Sequence, residues 1–232
     1  MKSSGIKTST VLASFLLAAC LSMRAEVKLP AIFSDGMVMQ QQTNANLWGM
    51  ATPNKKVTVT TGWNGKQYAV TADKNGSWKL SVSTPEAGGP YTITFDDGTQ
   101  KTLNNILIGE LWLCSGQSNM EMPMKGFKNQ PVENANMDIL RSKNPHIRLF
   151  TVKRTSTITP QNDVVGSWKE AAPVSVRDFS ATAYYFGRLV NEILDVPVGL
   201  VVAAWGGSAC EAWMTADWLK AFPDAKIPQS EA

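Results

Sequence analysis

The hydrophobic rhythm of this chain changes once, near residue 106, and that change limits the folds open to it. Before it, Lys56-Val57-Thr58-Val59-Thr60, Trp78-Lys79-Leu80-Ser81-Val82 and Tyr91-Thr92-Ile93-Thr94-Phe95 alternate apolar and polar side chains. Strand side chains point alternately to two faces, so this period buries one face and wets the other. Asn64-Gly65, Asn75-Gly76 and Asp97-Gly98 read as hairpin turns, because these residues tolerate positive φ. The expectation is an antiparallel β-sandwich over residues 26–105. After the change, Ile106-Leu107-Ile108 and Leu111-Trp112-Leu113 are nearly continuous apolar runs, the pattern of a strand buried on both faces. Residues 133–140 read as a short helix stopped by Pro145, and 147–152 as a strand. Asp178 is placed to cap a helix reaching Leu194, with Phe179, Ala183, Phe186, Val190, Ile193 and Leu194 on its apolar side. A second buried strand follows at 197–204, and a further helix starts over 215–222. Strand, helix and strand around a buried middle layer predict an α/β unit with a mainly parallel sheet over 106–232.

A length of 232 residues allows one to two domains, and 44% hydrophobic against 18% charged residues separates the chain from disordered sequences. Twenty-two basic residues against 19 acidic ones leave no basic stripe, so no nucleic-acid partner is expected. Residues 1–25 read as a signal peptide, with Lys2 and Lys7 before a short apolar run at 11–19. That run is about half the ~20 residues that span a bilayer, so no transmembrane helix is expected in the mature chain. Leu17-Ala18-Ala19-Cys20 resembles a bacterial lipobox; the alternatives are a lipid anchor at Cys20 or ordinary cleavage, for instance after Ala25. Either implies export, to the periplasm, the outer membrane as a lipoprotein, or the medium. Cleavage before Cys20 leaves 20 basic against 19 acidic residues, so no charge-driven partner is implied.

One histidine, His146, excludes any site needing two His ligands; no metal or cofactor is expected. It reads as a strand-edge residue. Beyond the signal, Cys114 and Cys210 allow one disulfide at most, and their apolar settings favour buried free thiols. Trp48, Trp63 and Trp78 are candidates for stacking on sugar rings. Trp78 shares a face with Leu80 and Val82, which favours a core role, whereas Trp63 sits in a turn and is the ring expected at the surface.

The chemical signal lies at the end of the first buried strand, in Ile108-Gly109-Glu110-Leu111-Trp112-Leu113-Cys114-Ser115-Gly116-Gln117-Ser118-Asn119-Met120-Glu121. Ligand sites of α/β sheets lie beyond the carboxyl ends of strands. A serine there projects its hydroxyl into the crevice, or caps the following helix. A nucleophile elbow, Gly-x-Ser-x-Gly, is excluded because position 120 is Met.

The stretch from Gly109 to Glu121 closely resembles the first motif block of the sialate O-acetylesterase family, within the SGNH or GDSL-type hydrolases. Trp205-Gly206-Gly207-Ser208-Ala209-Cys210-Glu211-Ala212-Trp213-Met214 resembles a second block, and the segment from Asp178 to Gly187 resembles the helix between them. The resemblance covers roughly residues 26–220. It implies a three-layer SGNH-type α/β domain after the sandwich, and an esterase that removes O-acetyl groups from sialic acid or another acetylated sugar. Ser118 would be the nucleophile. The N–H groups of Ser118 and Gly207, or Gly206, would form the oxyanion hole. Gln117 and Asn119 would hold the turn, and Glu211 would have a structural or substrate-side role. The family's further blocks, with a third oxyanion donor and an Asp-x-x-His-like base, have no match here. The expectation is therefore a partial hydrolase domain with little activity by itself. The alternative is a non-catalytic remnant or carbohydrate-binding protein.

Overall fold

The computed structural model describes residues 26–227. The expected export segment, with Lys2, Lys7 and Cys20, lies outside the described residues. Seven strands come first: β1 (Val38–Gln40), β2 (Asn44–Met50), β3 (Lys56–Thr61), β4 (Gln67–Thr71), β5 (Ser77–Ser83), β6 (Gly88–Asp96) and β7 (Gln100–Gly116). Then follow α1 (Ser118–Glu121), α2 (Ala135–Leu140), β8 (Asn144–Thr151), β9 (Trp168–Ala171), α3 (Pro173–Val176), α4 (Ala181–Leu194), β10 (Val198–Ala204) and α5 (Ala216–Leu219). Among the described residues no helix is long and apolar enough to cross a membrane.

The alternating runs do what period two demands. Val57 and Val59 of β3 and Ile93 and Phe95 of β6 point inward, while Lys56 faces water. They meet Leu47 of β2 and Trp78 and Val82 of β5 in one core. The walls of that core are the antiparallel run β4-β3-β6-β7 and the separate antiparallel pair β2-β5. Asn64-Gly65 and Asp97-Gly98 join hydrogen-bonded neighbours, β3 to β4 and β6 to β7. Asn75-Gly76 does not: it carries the chain from β4 to β5, whose partner is β2 in the other sheet. The Asp73 carboxylate organises that turn by accepting from the N–H groups of Asn75 and Ser77, so the Asn-Gly pair makes a crossing and not a hairpin. Trp63 also departs from expectation. It is half-buried, donates to the Ser83 carbonyl at 3.2 Å and meets Tyr91 edge-on.

β7 runs straight through the change of rhythm. At Asn105, where φ is 58°, the register with β6 slips, as in a β-bulge. β7 stays paired with β6 to Ile108, and β1 lies parallel to it over residues 107–109. Past Gly109, residues from Glu110 to Gly116 pair in parallel with β10, β10 pairs in parallel with β8, and β9 adds an antiparallel edge. The result is a mixed α/β architecture with β7, β10 and β8 as its parallel centre. Cys114, Ile147, Leu149, Leu200 and Val202 from these strands pack against Ala183 and Tyr184 of α4.

Three expectations for this half need correction. The cap of α4 is Ser180, whose hydroxyl accepts from Ala183 N–H, while Asp178 pairs with Lys125 at 2.6 Å. The buried side of α4 is Ala181, Ala183, Tyr184 and Gly187; small residues there let the helix lie close to Leu200, which turns Phe186, Ile193 and Leu194 outward. Finally, Ile106, Leu107 and Ile108 are buried, but Trp112 is 42% and Leu113 70% exposed. Trp112 leans edge-on against Phe186 of α4, whereas Leu113 points to the sheet's other face, where no described element covers it.

The two halves are tied by polar contacts, the most buried of them made by Arg148. Arg148 on β8 donates to the carbonyls of Pro145 and Gly36 and to Asn105 Oδ1, and pairs with Glu170 at 3.3 Å. Burial pushes its pKa down. The Asn162 carbonyl accepts from Trp48 Nε1, Asp163 from Ala31 N–H, and Trp168 Nε1 donates to the Ile32 carbonyl.

Candidate active site

Parallel pairing brings the carboxyl ends of β7 and β10 side by side, with Gly116 level with Ala204. Trp205 N–H donates to the Gly116 carbonyl at 3.0 Å, and each chain then turns sharply. Gly116 has φ 149° and Gly207 φ 81°, conformations that only glycine adopts at little cost. Gln117 caps α1, and Ser118 is the first helical residue, not the cap.

The Gln117 side chain folds back over the turn. Its Oε1 accepts from the Ser118 hydroxyl at 2.9 Å, from Ser118 N–H at 3.3 Å and from Gly207 N–H at 3.4 Å. The two N–H bonds are long and individually weak. Their direction is the informative part: two main-chain donors from different loops aim at one oxygen beside Ser118 Oγ. Gly206 N–H points elsewhere, to Glu121 Oε2, and the other Glu121 oxygen takes Arg154 Nη2 at 2.9 Å. The two glycines that the sequence left as alternatives thus have different hydrogen-bond partners.

Asn119 is exposed, and its carbonyl accepts from Thr182 Oγ1 at 3.0 Å, fastening α1 to the start of α4. Glu211 stands in the exposed 3-10 turn Cys210–Trp213, outside the hydrogen-bonded set around Ser118. Cys210 shares that turn and is exposed, against the expectation of a buried thiol; Cys114 is buried, its pKa pushed up by desolvation, and both are free. Exposed aromatic rings sit here, whereas Trp63 in the turn between β3 and β4 is half-buried. Trp213 Nε1 donates to Ser208 Oγ at 2.8 Å, and that hydroxyl donates to the Trp205 carbonyl at 2.7 Å, which ties the Trp213 indole to the glycine turn; Trp205, at the start of that turn, is also exposed.

His146 is exposed at the entry of β8, where Ile147 is level with Val198 and Glu110. Ser118 lies eight residues further along, roughly 25 Å at ~3.3 Å per residue. The single histidine is therefore at the wrong end of the strands to act on Ser118.

Glu121 and Arg154 escaped the sequence reading. Glu121 had a signal, since i and i+3 share a helix face and Ser118 and Glu121 have that spacing. Arg154 had none; it comes from an irregular segment with no periodicity.

No family profile matches the chain. Sialate O-acetylesterase from Pongo abelii is 29% identical over 212 residues, which take in 84% of this chain and 40% of that protein. Sialate O-acetylesterase from Rattus norvegicus is 32% identical over 203 residues, 80% of this chain and 37% of that one. The crystal structure of a carbohydrate acetylesterase from Xanthomonas citri matches with a TM-score of 0.78 at 33% identity, over 84% of this chain and 44% of that one. The chain spans about two fifths of the length of the curated relatives it matches. Over the stretch that it shares with them, the chain belongs to a sialate O-acetylesterase-like family.

Proposed function

We propose that this chain carries the nucleophile and oxyanion side of an esterase site for O-acetylated sugars, with sialic acid esters among the candidates. The observation that supports it best is the convergence of Ser118 N–H and Gly207 N–H on one oxygen beside Ser118 Oγ. In the reaction, Ser118 Oγ attacks the acetyl carbonyl carbon. The carbonyl oxygen becomes an oxyanion at the point that Gln117 Oε1 fills at rest. One such donor is worth about 3 kcal/mol, because it meets charge that develops only in the transition state. The C–O bond to the sugar then breaks, the sugar oxygen takes a proton, and water releases acetate from acetyl-Ser118. Trp205 and Trp213 offer apolar faces for the sugar ring.

Serine also needs a proton acceptor. Gln117 Oε1 holds the hydroxyl but is too weakly basic to remove its proton, and no histidine stands near Ser118 among the described residues. Turnover by this chain is therefore slow. The antiparallel layers of 26–105 act, in this reading, as a β-sandwich that carries the site and not as a sugar-binding module, since Trp78 is core and Trp63 is half-buried. Export, with or without a lipid at Cys20, is part of the same proposal; the mass of the mature N-terminus tests it.

The remoteness of His146 favours a second reading, a site that binds acetylated sugars without cleaving them. Acetate release from acetylated sialic acid and acetylated neutral sugars separates the two. The first reading expects slow release that falls at least ~100-fold in Ser118→Ala and is unchanged in His146→Ala. Equal release by wild type and Ser118→Ala overturns it. Sugar binding with no release from any variant supports the second.

A further inference from the structure

We propose that Glu121, clamped by Arg154, is the positioning residue that aims the Gly206–Gly207 turn at Ser118. The two loops of the site come from strands far apart in sequence, and the turn after β10 contains two adjacent glycines. Such a pair has more conformational freedom than any other, so something must hold it. Glu121 is bonded to both loops. Its N–H donates to the Gln117 carbonyl at 2.9 Å, which closes the turn around Ser118. Its carboxylate reaches across and accepts from Gly206 N–H. A hydrogen bond to an ionised acceptor is roughly twice as strong as a neutral one.

The space confirms how close the three groups lie. A Cβ at position 206 would collide with the Glu121 carboxylate and would stand 3.6 Å from Ser118 Oγ. A side chain at 206 would push this carboxylate off the Gly206 amide. With Gly206 N–H tied down, the next amide, Gly207, is left to face Gln117 Oε1. The Glu121 side chain is 20% exposed, and Arg154 Nη2 occupies its second oxygen at 2.9 Å. Both oxygens already hold donors, so Glu121 positions and does not serve as the base for Ser118.

The structural part of this proposal stands by itself; its catalytic consequence rests on the acetylesterase reading. Proton–nitrogen correlation spectra of the full chain test the first. In Glu121→Ala the Gly206 amide loses its downfield position and the Gly207 amide exchanges at least about tenfold faster, the ratio that corresponds to about 1.4 kcal/mol. Arg154→Met moves Gly206 in the same direction by less, and Glu121→Gln, which keeps a carbonyl acceptor, leaves Gly206 near its wild-type position. Acetate release tests the second: kcat falls about 100-fold in Glu121→Ala with KM unchanged, and Glu121→Gln recovers most of it. Unchanged Gly206 and Gly207 amides in Glu121→Ala, or a change in KM alone, overturn the proposal. If Glu121→Ala does not fold, an unmoved Gly206 amide in Arg154→Met overturns it instead. Should the wild type release no acetate, the spectra decide the positioning role, and the failure belongs to the acetylesterase reading.

Discussion

Along β3 and β6, Val57, Val59, Ile93 and Phe95 have no exposed surface, and the threonines between them, Thr58 and Thr94, are half-buried. Along the last third of β7, Leu113 is 70% exposed although its strand lies inside the sheet order and not at its end. The contrast has a simple origin. The antiparallel half closes on itself: the β4-β3-β6-β7 run and the β2-β5 pair turn their apolar faces toward one shared core, so each inward face is covered. The parallel half needs partners brought back by long crossovers, and only one face of β7 and β10 receives one, from α4. Yet the candidate chemistry sits on this less covered half, because parallel strands end together and deliver two loops to one place. Each half therefore has a buried core of its own, but only the parallel one leaves an apolar stretch of sheet open, and it is the one that carries the candidate chemistry.

The sharpest way to break that comparison is to delete equal kinds of side chain from the two regions. Phe95→Ala is expected to cost about 3–5 kcal/mol, since it opens a cavity in a closed core. Leu113→Ala is expected to change stability by no more than about 0.5 kcal/mol, as at a surface. Urea denaturation of both variants measures this, and equal losses would erase the distinction. The next effect in size belongs to the joint. Arg148→Met strands the Gly36 carbonyl and Asn105 Oδ1 without their donor, at a cost of about 2 kcal/mol. Its signature is a loss of cooperativity, with tryptophan fluorescence and far-ultraviolet circular dichroism no longer giving one transition.

The difference between the halves also governs what can be read without coordinates. Period-two alternation made β3, β5 and β6 legible, because each strand's environment is encoded in its own residues. Leu111-Trp112-Leu113 misled for the complementary reason: an apolar run states that cover is wanted, not that it is present. Asp178 and Ser180 are both competent caps, and the ion pair of the Asp178 carboxylate with the Lys125 ammonium shows why Asp178 was drawn away. At the site, the motif blocks singled out Ser118 and the Gly206-Gly207 turn, which lie side by side in the fold. The Glu121–Arg154 clamp was not, because it joins a helix to an aperiodic segment, and the place of the Gln117 amide depends on a rotamer.

Two smaller effects sharpen the account. Gln117→Glu puts a carboxylate where the neutral amide oxygen meets the two donors. A charged acceptor holds them more strongly, so acetate, which must displace it, is expected to bind about tenfold more weakly. A calorimetric titration checks this, and tighter binding would show that Gln117 does not compete for the hole. The smallest effect is on acid stability. The Tyr185 hydroxyl first, and then Arg188, hold the Asp138 carboxyl below its ordinary range. Its folded pKa is depressed, so its contribution is present above the unfolded value of about 3.9 and fades as pH falls through the folded one. Asp138→Asn should flatten the acid limb of the stability curve below about pH 4 and leave the neutral limb parallel to wild type.

The central claim is that two main-chain donors beside Ser118 form a pocket for an oxygen anion. Following the amides of the full chain during an acetate titration tests it most directly. The account predicts that Ser118 and Gly207 N–H move together along one binding curve, while the Gln117 side-chain amide shifts as it leaves the pocket. Stationary Ser118 and Gly207 amides at acetate concentrations that shift other residues would contradict it.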